Sequence, residues 1–145
     1  MVDLEVSLGG IKLKNPVTVA SGTYGFGLEY MDFYHPSRLG AVFTKGITHQ
    51  PRVGNPPPRL HETPAGILTS IGLENPGVAR VIKEHLPRLR GLGTVIIPNI
   101  SGSTVKEYCK VAAYLDGKEG VSALEVNISC PNVSEGGMAF GSSPE

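Results

Sequence analysis

Hydrophobic and polar residues alternate near the start of the chain. Leu4, Val6 and Leu8 alternate with polar residues, Gly9-Gly10 follows, and the alternation resumes over residues 11–14. Two alternating segments around a glycine pair predict a small β-hairpin. Asn15-Pro16 predicts the turn that ends it.

The hydrophobic pattern then changes to short continuous runs. Four such runs occupy residues 17–20, 40–43, 94–97 and 123–126. Continuous apolar runs of this length predict strands that are buried on both faces, which is typical of a parallel sheet.

Two segments between these runs have the period of an amphipathic helix. The first begins at Asn75-Pro76, a helix cap followed by proline, and apolar residues follow at helical spacing. The second is expected to begin at Ser103 or Thr104 and to end at Gly117. Its predicted buried stripe, which places a cysteine in the core, consists of Val105, Tyr108, Cys109, Ala112 and Leu115.

The remaining connections are irregular. Residues 29–39 form a short first crossover with little periodicity, and residues 48–70 form a long connection in which Asn55-Pro56-Pro57-Pro58 excludes a helix. Connections of that length are usually functional. The order of a hairpin followed by alternating strands and helices predicts the α/β class. It fits either part of a parallel (β/α)8 TIM barrel or an open doubly wound sheet.

The last residues of the sequence help to choose between a barrel and an open sheet. Ser142-Ser143-Pro144-Glu145 predicts the start of a helix, and a complete barrel needs about 250 residues. We therefore expect that residues 1–145, the hairpin plus four strands, are the N-terminal half of a single barrel domain. The C-terminal half would be absent from the chain, through truncation or because the protein is split.

Composition and charge narrow the function classes. The 145 residues include 13 Lys+Arg and 13 Asp+Glu, and this zero net charge argues against a protein that binds nucleic acid or an anionic membrane. No apolar run approaches the roughly 18–20 residues of a membrane helix, and the acidic start is unlike a signal peptide. The two cysteines, without metal-ligand spacing, exclude a disulfide scaffold and a zinc site. The prediction is a cytoplasmic protein, with His35, His49, His61 and His85 on the surface or in loops.

Polar residues follow all four apolar runs, at the strand ends where both candidate folds gather their functional groups. They are Ser21, Lys45-Gly46, Asn99 and residues 127–132. A lysine at the inner end of a buried strand needs an anionic ligand or a neighbouring carboxylate. Asparagine amides either orient a planar heterocycle or cap turns. Cys130 is either a reactive thiol or a packing residue.

The glycine-rich segment 22–27 invites comparison with a dinucleotide-binding loop. Its glycines follow G-x-x-G-x-G instead of G-x-G-x-x-G, and the next strand ends in Lys45 instead of the acidic residue that binds ribose. We therefore predict that this chain does not itself bind NAD.

Several segments together resemble class 1 dihydroorotate dehydrogenases. The resemblance covers essentially the whole chain and is carried, in chain order, by residues 15–27, 44–48, 54–59, 71–77 and 127–132. The segment Asn127-Ile128-Ser129-Cys130-Pro131-Asn132 is specific for the family. The amino-acid sequence of residues 21–27 resembles that of the B type, the catalytic subunit of the NAD-linked enzyme.

The resemblance implies an FMN-binding barrel that oxidises dihydroorotate to orotate in pyrimidine biosynthesis. Hydride would pass from C6 to the flavin N5, Cys130 would be the base that takes the C5 proton, and Lys45 would be the second catalytic residue. The flavin contacts would come from Ser21, Lys45, Gly46, Asn99 and Asn127. The substrate contacts would come from Lys45, Thr69, Ser70, Ile71, Gly72, Leu73, Asn127 and Asn132. The N–H groups of Gly72 and Leu73 would bind the substrate carboxylate, and Asn75 is expected to be a helix cap only.

The B-type resemblance also implies a partner, an electron-transfer subunit with FAD and an iron–sulfur cluster that passes electrons to NAD. A hetero-oligomer is therefore expected. The flavin-phosphate site and a second lysine would belong to the half of the barrel that the chain does not cover.

One departure from the family leaves alternatives open. Thr69 stands where the family usually has asparagine, so a related FMN barrel acting on another pyrimidine is a second enzymatic hypothesis. A third hypothesis, of a different class, is an inert half-barrel or assembly partner. Unpaired first and fourth strands would favour its association.

Overall fold

The computed structural model describes residues 2–129 and 138–142. The strands are β1 (Val6–Leu8), β2 (Ile11–Leu13), β3 (Thr18–Val19), β4 (Ala41–Phe43), β5 (Leu60–Thr63), β6 (Gly66–Thr69), β7 (Val95–Ile97), β8 (Asn99–Ile100) and β9 (Glu125–Val126). The α-helical segments are α1 (Val78–Arg80), α2 (Leu86–Leu89), α3 (Val105–Leu115) and α4 (Met138–Gly141). A π segment, Val81–His85, joins α1 to α2, and the 3-10 turns are Pro36–Arg38 and Arg90–Leu92.

The parallel strands lie side by side in the order in which they occur in the chain. β3 pairs with β4 and β4 pairs with β7, while β8, which continues β7 beyond Pro98, pairs with β9. All of these pairs are parallel. A doubly wound sheet reverses its strand order at an internal switch point, whereas a barrel keeps its strands in chain order. The prediction of a barrel-type α/β fold is confirmed.

The two central strands carry the core of the sheet. Val42 in β4 is 0% exposed and Ile96 in β7 is 2% exposed. The prediction that all four runs are buried on both faces is wrong for the outer two, because Val17 is 55% exposed and Val126 is 54% exposed. β3 and β9 each pair with one strand among the described residues, which leaves more of their surface uncovered.

The amino-terminal hairpin forms as predicted. β1 and β2 pair in antiparallel fashion with Val6 opposite Leu13, and both residues of Gly9-Gly10 have positive φ angles. Glycine takes this conformation without the steric cost of a Cβ atom. Leu13 is buried and packs with Ala41 and Ile97, so the hairpin is fixed against the parallel strands.

Residues 78–92 form one continuous helical stretch, as their apolar spacing predicts. The buried face consists of Val78, Val81, Leu86, Leu89 and Leu92. The predicted start is wrong. The cap position is Gly77, with φ of 79°, and no side chain caps the first turn. Asn75 has a different role, described below.

The helix α3 begins where predicted, but the face that it buries is rotated relative to the predicted one. The Thr104 hydroxyl accepts a hydrogen bond from the Glu107 N–H at 3.2 Å, which identifies Thr104 as the cap. Val111 is fully buried, whereas Cys109 is exposed, so the assignment of Cys109 to the core is wrong. Residues two apart lie about 200° apart around a helix, so a helix that buries Val111 turns Cys109 outward.

The two irregular connections differ from each other. Residues 29–39 contain only the 3-10 turn Pro36–Arg38. The long connection 48–70, by contrast, contains the antiparallel hairpin of β5 and β6, with Leu60 opposite Thr69. The sequence did not predict this hairpin, because its residues are exposed on both faces and show no apolar alternation.

His85 is neither a surface nor a loop residue. It lies in the π segment, half-buried, with its ring centroid 4.4 Å from that of Phe26. Its Nδ1 is buried and has no hydrogen-bond partner among the described residues. Burial lowers the pKa of His85 below its ordinary value, because the charged ring loses hydration.

Candidate functional site

A cavity of about 390 Å³ lies at the carboxyl ends of the parallel strands. Nine of the predicted site residues line it: Ser21, Lys45, Gly46, Thr69, Ile71, Gly72, Leu73, Asn99 and Asn127. Ser70 does not line this cavity; its hydroxyl accepts a hydrogen bond from the Asn55 amide at 2.9 Å. Cys130 and Asn132 lie outside the described residues.

Two walls of different construction face this cavity. One, the strand wall, comprises residues at the ends of β4, β8 and β9: Lys45, Gly46, Asn99, Glu125 and Asn127. The other, the loop wall, comprises Thr69 at the end of β6 and residues 70–73 that follow it, all of which line the cavity except Ser70. The strand wall and the loop wall lie at the same end of the sheet, because the long connection that carries the loop wall begins where β4 ends.

Lys45 extends from the end of β4 into the cavity. Its backbone N–H donates to the Gly25 carbonyl at 2.7 Å, which ties the strand end to the glycine-rich segment 22–27. Within the described part of the chain, its ammonium group forms no ion pair or hydrogen bond. The alternative in which a neighbouring carboxylate neutralises Lys45 is therefore not found among these residues. The cation is available to an anionic ligand.

Asn99 and Asn127 form a short row of amides across neighbouring strands. The Asn99 Nδ2 donates to Glu125 Oε2 at 2.6 Å, and the Asn127 Nδ2 donates to Asn99 Oδ1 at 3.3 Å. The Tyr108 hydroxyl donates to the Asn127 carbonyl oxygen. These contacts place donors and acceptors side by side along one wall, an arrangement suited to the edge of a planar heterocycle.

Glu125 is the site residue that the sequence analysis missed. It lies within the apolar run 123–126, two positions before Asn127, and so on the same face of the strand. A charged residue inside a buried run was the available signal.

Gly72 and Leu73 hold the loop wall in an unusual conformation. Both have positive φ angles, 73° and 59°, which is uncommon for a leucine. A Cβ atom on Gly72 would lie 2.5 Å from the Asn55 Oδ1, so glycine is required there. Among the described groups, none accepts a hydrogen bond from the N–H of Gly72 or Leu73. Two free N–H groups side by side are suited to a carboxylate.

Asn75 joins the loop wall to the body of the fold. It is 4% exposed, and its Nδ2 donates to the Leu73 carbonyl at 2.8 Å and to the Thr48 hydroxyl at 2.9 Å. Its Oδ1 accepts from the N–H of Thr48 at 3.1 Å and of Gly77 at 3.0 Å. The prediction that Asn75 is only a helix cap is therefore wrong. It satisfies buried backbone groups on both sides of the long connection.

Gly46 lies where the two walls meet. A Cβ atom at this position would lie 2.6 Å from Leu73 Cδ1 and 3.0 Å from Asn99 Oδ1. Glycine therefore lets the loop wall approach the amides closely.

The glycine-rich segment 22–27 does not lead into a helix. Residues 21–34 form successive turns, with Gly22, Gly25 and Gly27 at positive φ. The dinucleotide fingerprint requires a glycine loop that opens a helix, so this geometry supports the prediction against NAD binding at this segment.

The structure also bears on metals and membranes. Over residues 2–129 and 138–142, no group of three or more His, Cys, Asp or Glu side chains is placed to hold a metal ion. No helix in the same ranges is long and apolar enough to cross a membrane.

Comparison with known proteins identifies the family. A family model described as dihydroorotate dehydrogenase matches residues 3–145. The chain is 51% identical over 144 residues to the dihydroorotate dehydrogenase B (NAD(+)) catalytic subunit of Thermoanaerobacter pseudethanolicus, covering 99% of this chain and 47% of that protein. It is 53% identical over 142 residues to the subunit of the same name in Geobacillus sp. strain WCH70, covering 98% of this chain and 45% of that protein. The chain thus spans about half the length of the curated relatives it matches.

Solved structures agree on the fold. The ligand-free dihydroorotate dehydrogenase of Eimeria tenella superposes with a TM-score of 0.73 at 22% identity, covering 91% of this chain and 40% of that chain. The complex of the Eimeria tenella enzyme with ferulenol gives a TM-score of 0.70 at 23% identity, covering 91% and 38%. With a family model across residues 3–145 and relatives about half identical in sequence, the chain belongs to the dihydroorotate dehydrogenase family.

Proposed function

We propose that this chain supplies one side of a flavin site at which dihydroorotate is oxidised to orotate in pyrimidine biosynthesis. The observation that carries the proposal is the cavity that joins Lys45, which has no ion pair among the described residues, to the amides of Asn99 and Asn127. A lysine without an anionic partner and a row of amides are what a planar, anionic heterocycle requires. The family membership supports the same conclusion.

The strand wall is the proposed side for the cofactor, FMN. Ser21, Gly46 and Asn99 would contact the flavin, and Lys45 and Asn127 would contact both flavin and substrate. The donors and acceptors of these residues fit such a group, since they all line one cavity of about 390 Å³. When bound, FMN would supply the hydride-accepting chemistry.

The loop wall is the proposed side for the substrate. The N–H groups of Gly72 and Leu73, which have no described acceptor, would bind the carboxylate of dihydroorotate. Thr69 and Ile71 line the same cavity, and Ser70, which does not line it, stays a predicted substrate contact. Lys45 would complete the neutralisation of the substrate from the opposite wall.

Cys130 and Asn132, outside the described residues, complete the proposal. Cys130 would take the proton from C5 of the substrate as the C6 hydride leaves, and Asn132 would hold the substrate beside it. A thiol acts as a base only as the thiolate, and the cationic Lys45 in the same site would favour that form.

The relatives' names also support a proposal about partners. They are called catalytic subunits of an NAD(+)-linked enzyme. We propose that this protein pairs with a separate electron-transfer subunit, carrying FAD and an iron–sulfur cluster, that delivers electrons to NAD. We further propose that residues 1–145 are the N-terminal half of one FMN-binding barrel domain. The hetero-oligomer and the cytoplasmic location stay predictions.

A visible absorption spectrum tests the proposal directly. The protein, purified in its native form, is expected to show a flavin absorption band. This band should bleach when dihydroorotate is added under anaerobic conditions. Absence of a flavin band would contradict the proposal and favour the inert half-barrel or assembly partner. Light scattering would then show whether the chain associates through its outer strands.

A variant of Cys130 tests the proposed base. Cys130→Ser is expected to lower the rate of flavin reduction by about 100-fold or more, within the range by which general bases act, and to leave orotate binding nearly unchanged. Cys109→Ser is the matched control, because Cys109 is exposed on α3 and does not line the cavity. An unchanged reduction rate in Cys130→Ser would remove Cys130 from the mechanism.

A further inference from the structure

Glu125 is held firmly beside the amide row by the sheet. It is the register partner of Asn99 across the parallel pair β8 and β9, and its N–H donates to the Pro98 carbonyl at 2.9 Å. Register partners on neighbouring strands point to the same face. The carboxylate therefore meets the Asn99 amide because of the strand pairing, without help from a loop.

A carboxylate fixes which way the Asn99 amide points. Ionised Glu125 only accepts hydrogen bonds, so the nitrogen of Asn99 must face it, at 2.6 Å. The oxygen of Asn99 then faces the nitrogen of Asn127 at 3.3 Å. The oxygen of Asn127 in turn accepts from the N–H of Ser129 at 3.3 Å.

Gly46 lies beside the oxygen of the Asn99 amide. The space beside its Cα atom faces the Asn99 oxygen, since an added Cβ would lie 3.0 Å from Asn99 Oδ1. The orientation of the amides in this row is thus fixed at the Asn99 end by the negative charge of Glu125. Without that charge, the Asn99 amide could rotate by 180° and exchange its donor for its acceptor, while the Asn127 amide is also held by the Ser129 N–H.

We propose that Glu125 is a positioning residue that sets the direction of the Asn99 amide and, together with the Ser129 N–H, that of the Asn127 amide, and with them the donor and acceptor pattern offered to a planar heterocyclic ligand. Glu125 itself lines the cavity, and its other carboxylate oxygen has no partner among the described residues. That oxygen is available to an N–H or O–H group of the ligand. The identity of the ligand as a flavin rests on the proposed function, whereas the direction of the amides does not.

The first experiment needs no ligand. In protein labelled with ¹⁵N at asparagine, the side-chain NH₂ resonances of Asn99 and Asn127 are identified by their loss in Asn99→Asp and Asn127→Asp. Glu125→Gln is expected to shift the resonances of both amides, because the change at one end is passed along the row. Glu119→Gln is the matched control, since its carboxylate pairs with Arg90 on the surface and it is expected to move neither resonance. An Asn127 resonance that stays in place in Glu125→Gln overturns the proposal.

The second experiment measures FMN affinity by quenching of flavin fluorescence. Glu125→Gln is expected to weaken binding about tenfold, as expected for a lost charge-assisted hydrogen bond. Asn99→Asp places two carboxylates together and should bind more weakly still. The double variant Glu125→Gln with Asn99→Asp moves the charge by one position and restores the donor–acceptor pairs, so it should bind FMN more tightly than Asn99→Asp alone.

The outcomes separate the two proposals. Equal FMN affinity in the double variant and in Asn99→Asp, or wild-type affinity in Glu125→Gln, would overturn the positioning role. If the wild-type protein binds no FMN while Glu125→Gln still shifts both amide resonances, the proposed function fails and the positioning role stands.

Discussion

The strand wall and the loop wall face the same cavity but are held in place differently. Asn99 is 2% exposed and Gly46 is buried, and both are embedded in the ends of paired strands. The loop wall follows a hairpin in which every residue from 60 to 69 is exposed. Asn55 holds it to the earlier part of the long connection, and Asn75 ties it to the buried Thr48.

This difference suits two different ligands. Elements with many buried contacts open only at a high free energy, whereas exposed hairpins and loops open locally at a low one. A rigid wall is suited to a cofactor that stays bound, and a wall that can move is suited to a substrate that enters and leaves. The proposed division between FMN and dihydroorotate follows this contrast in burial.

The largest expected effect comes from removing the side-chain hydrogen bonds that attach the loop wall to the rest of the fold. Asn75→Ala leaves the buried N–H of Thr48 and the carbonyl of Leu73 without that partner, and should cost about 3 kcal/mol of unfolding free energy. Asn15→Ala is the matched control, because its partly exposed amide joins Arg38 and Val17 and its loss should cost about 1 kcal/mol. Denaturant titration measures both. Equal losses in the two variants would show that the loop wall does not depend on Asn75.

The next effect separates ligand binding from stability. Lys45 has no described ion pair, so Lys45→Ala should change the unfolding free energy by no more than about 0.5 kcal/mol. The same variant should slow flavin reduction by dihydroorotate about 100-fold, which is about 2.7 kcal/mol of activation free energy, and weaken substrate binding.

Stopped-flow reduction and orotate titration provide these measurements. Lys12→Ala is the control, since Lys12 is an exposed residue that pairs with Glu5 at 3.0 Å, and it should leave both values unchanged. Normal reduction and binding in Lys45→Ala would show that the lysine serves neither ligand.

A smaller effect tests the contact between the walls. Gly46→Ala inserts a methyl group 2.6 Å from Leu73 Cδ1, so the loop wall must shift away from the amides. FMN affinity should fall about tenfold, with a loss of about 1–2 kcal/mol in stability from overpacking. Gly66→Ala, at the hairpin tip with nothing within 4 Å, should change neither quantity. Indistinguishable FMN affinities in the two variants would mean that the walls do not depend on close contact.

The smallest effect concerns substrate choice. Thr69 lines the cavity from an exposed position at the end of β6, where the resemblance leads us to expect asparagine. Thr69→Asn should leave stability unchanged and lower the KM for dihydroorotate a few-fold, about what one added hydrogen bond contributes. Comparing the turnover of dihydroorotate and dihydrouracil tests the second enzymatic hypothesis.

Thr63→Asn, at the other end of the hairpin, is the control and should have no effect on KM. An unchanged preference between the two pyrimidines in Thr69→Asn would show that this position does not select the substrate.

Local patterns predicted the elements that depend on local physics. The alternation around Gly9-Gly10, the apolar spacing of residues 78–92 and the cap at Thr104 all appear in the structure. The strand-end residues could be found because parallel strands gather their carboxyl ends at one side of the sheet. Five of them, Ser21, Lys45, Gly46, Asn99 and Asn127, share one cavity for that reason, whereas Thr69, Ile71, Gly72 and Leu73 were expected only from the family resemblance.

The errors arise where neighbours in space decide. Cys109 and Val111 are both suitable core residues by composition, and only the docking of α3 determines which one is buried. The exposed hairpin of β5 and β6 has no buried face, and so gives no periodic signal. The role of Asn75 depends on Thr48, which is distant in sequence and adjacent in space.

The sequence by itself determined the family, the alternation of strands and helices, and the set of residues that could act at the strand ends. The tertiary structure alone decided that the strands follow chain order, that Lys45 has no described anionic partner, and that Glu125 meets Asn99. The physical reason is that hydrophobic period and chain stiffness are properties of neighbouring residues. Charge pairing and amide direction are instead properties of atoms brought together only when the sheet is formed.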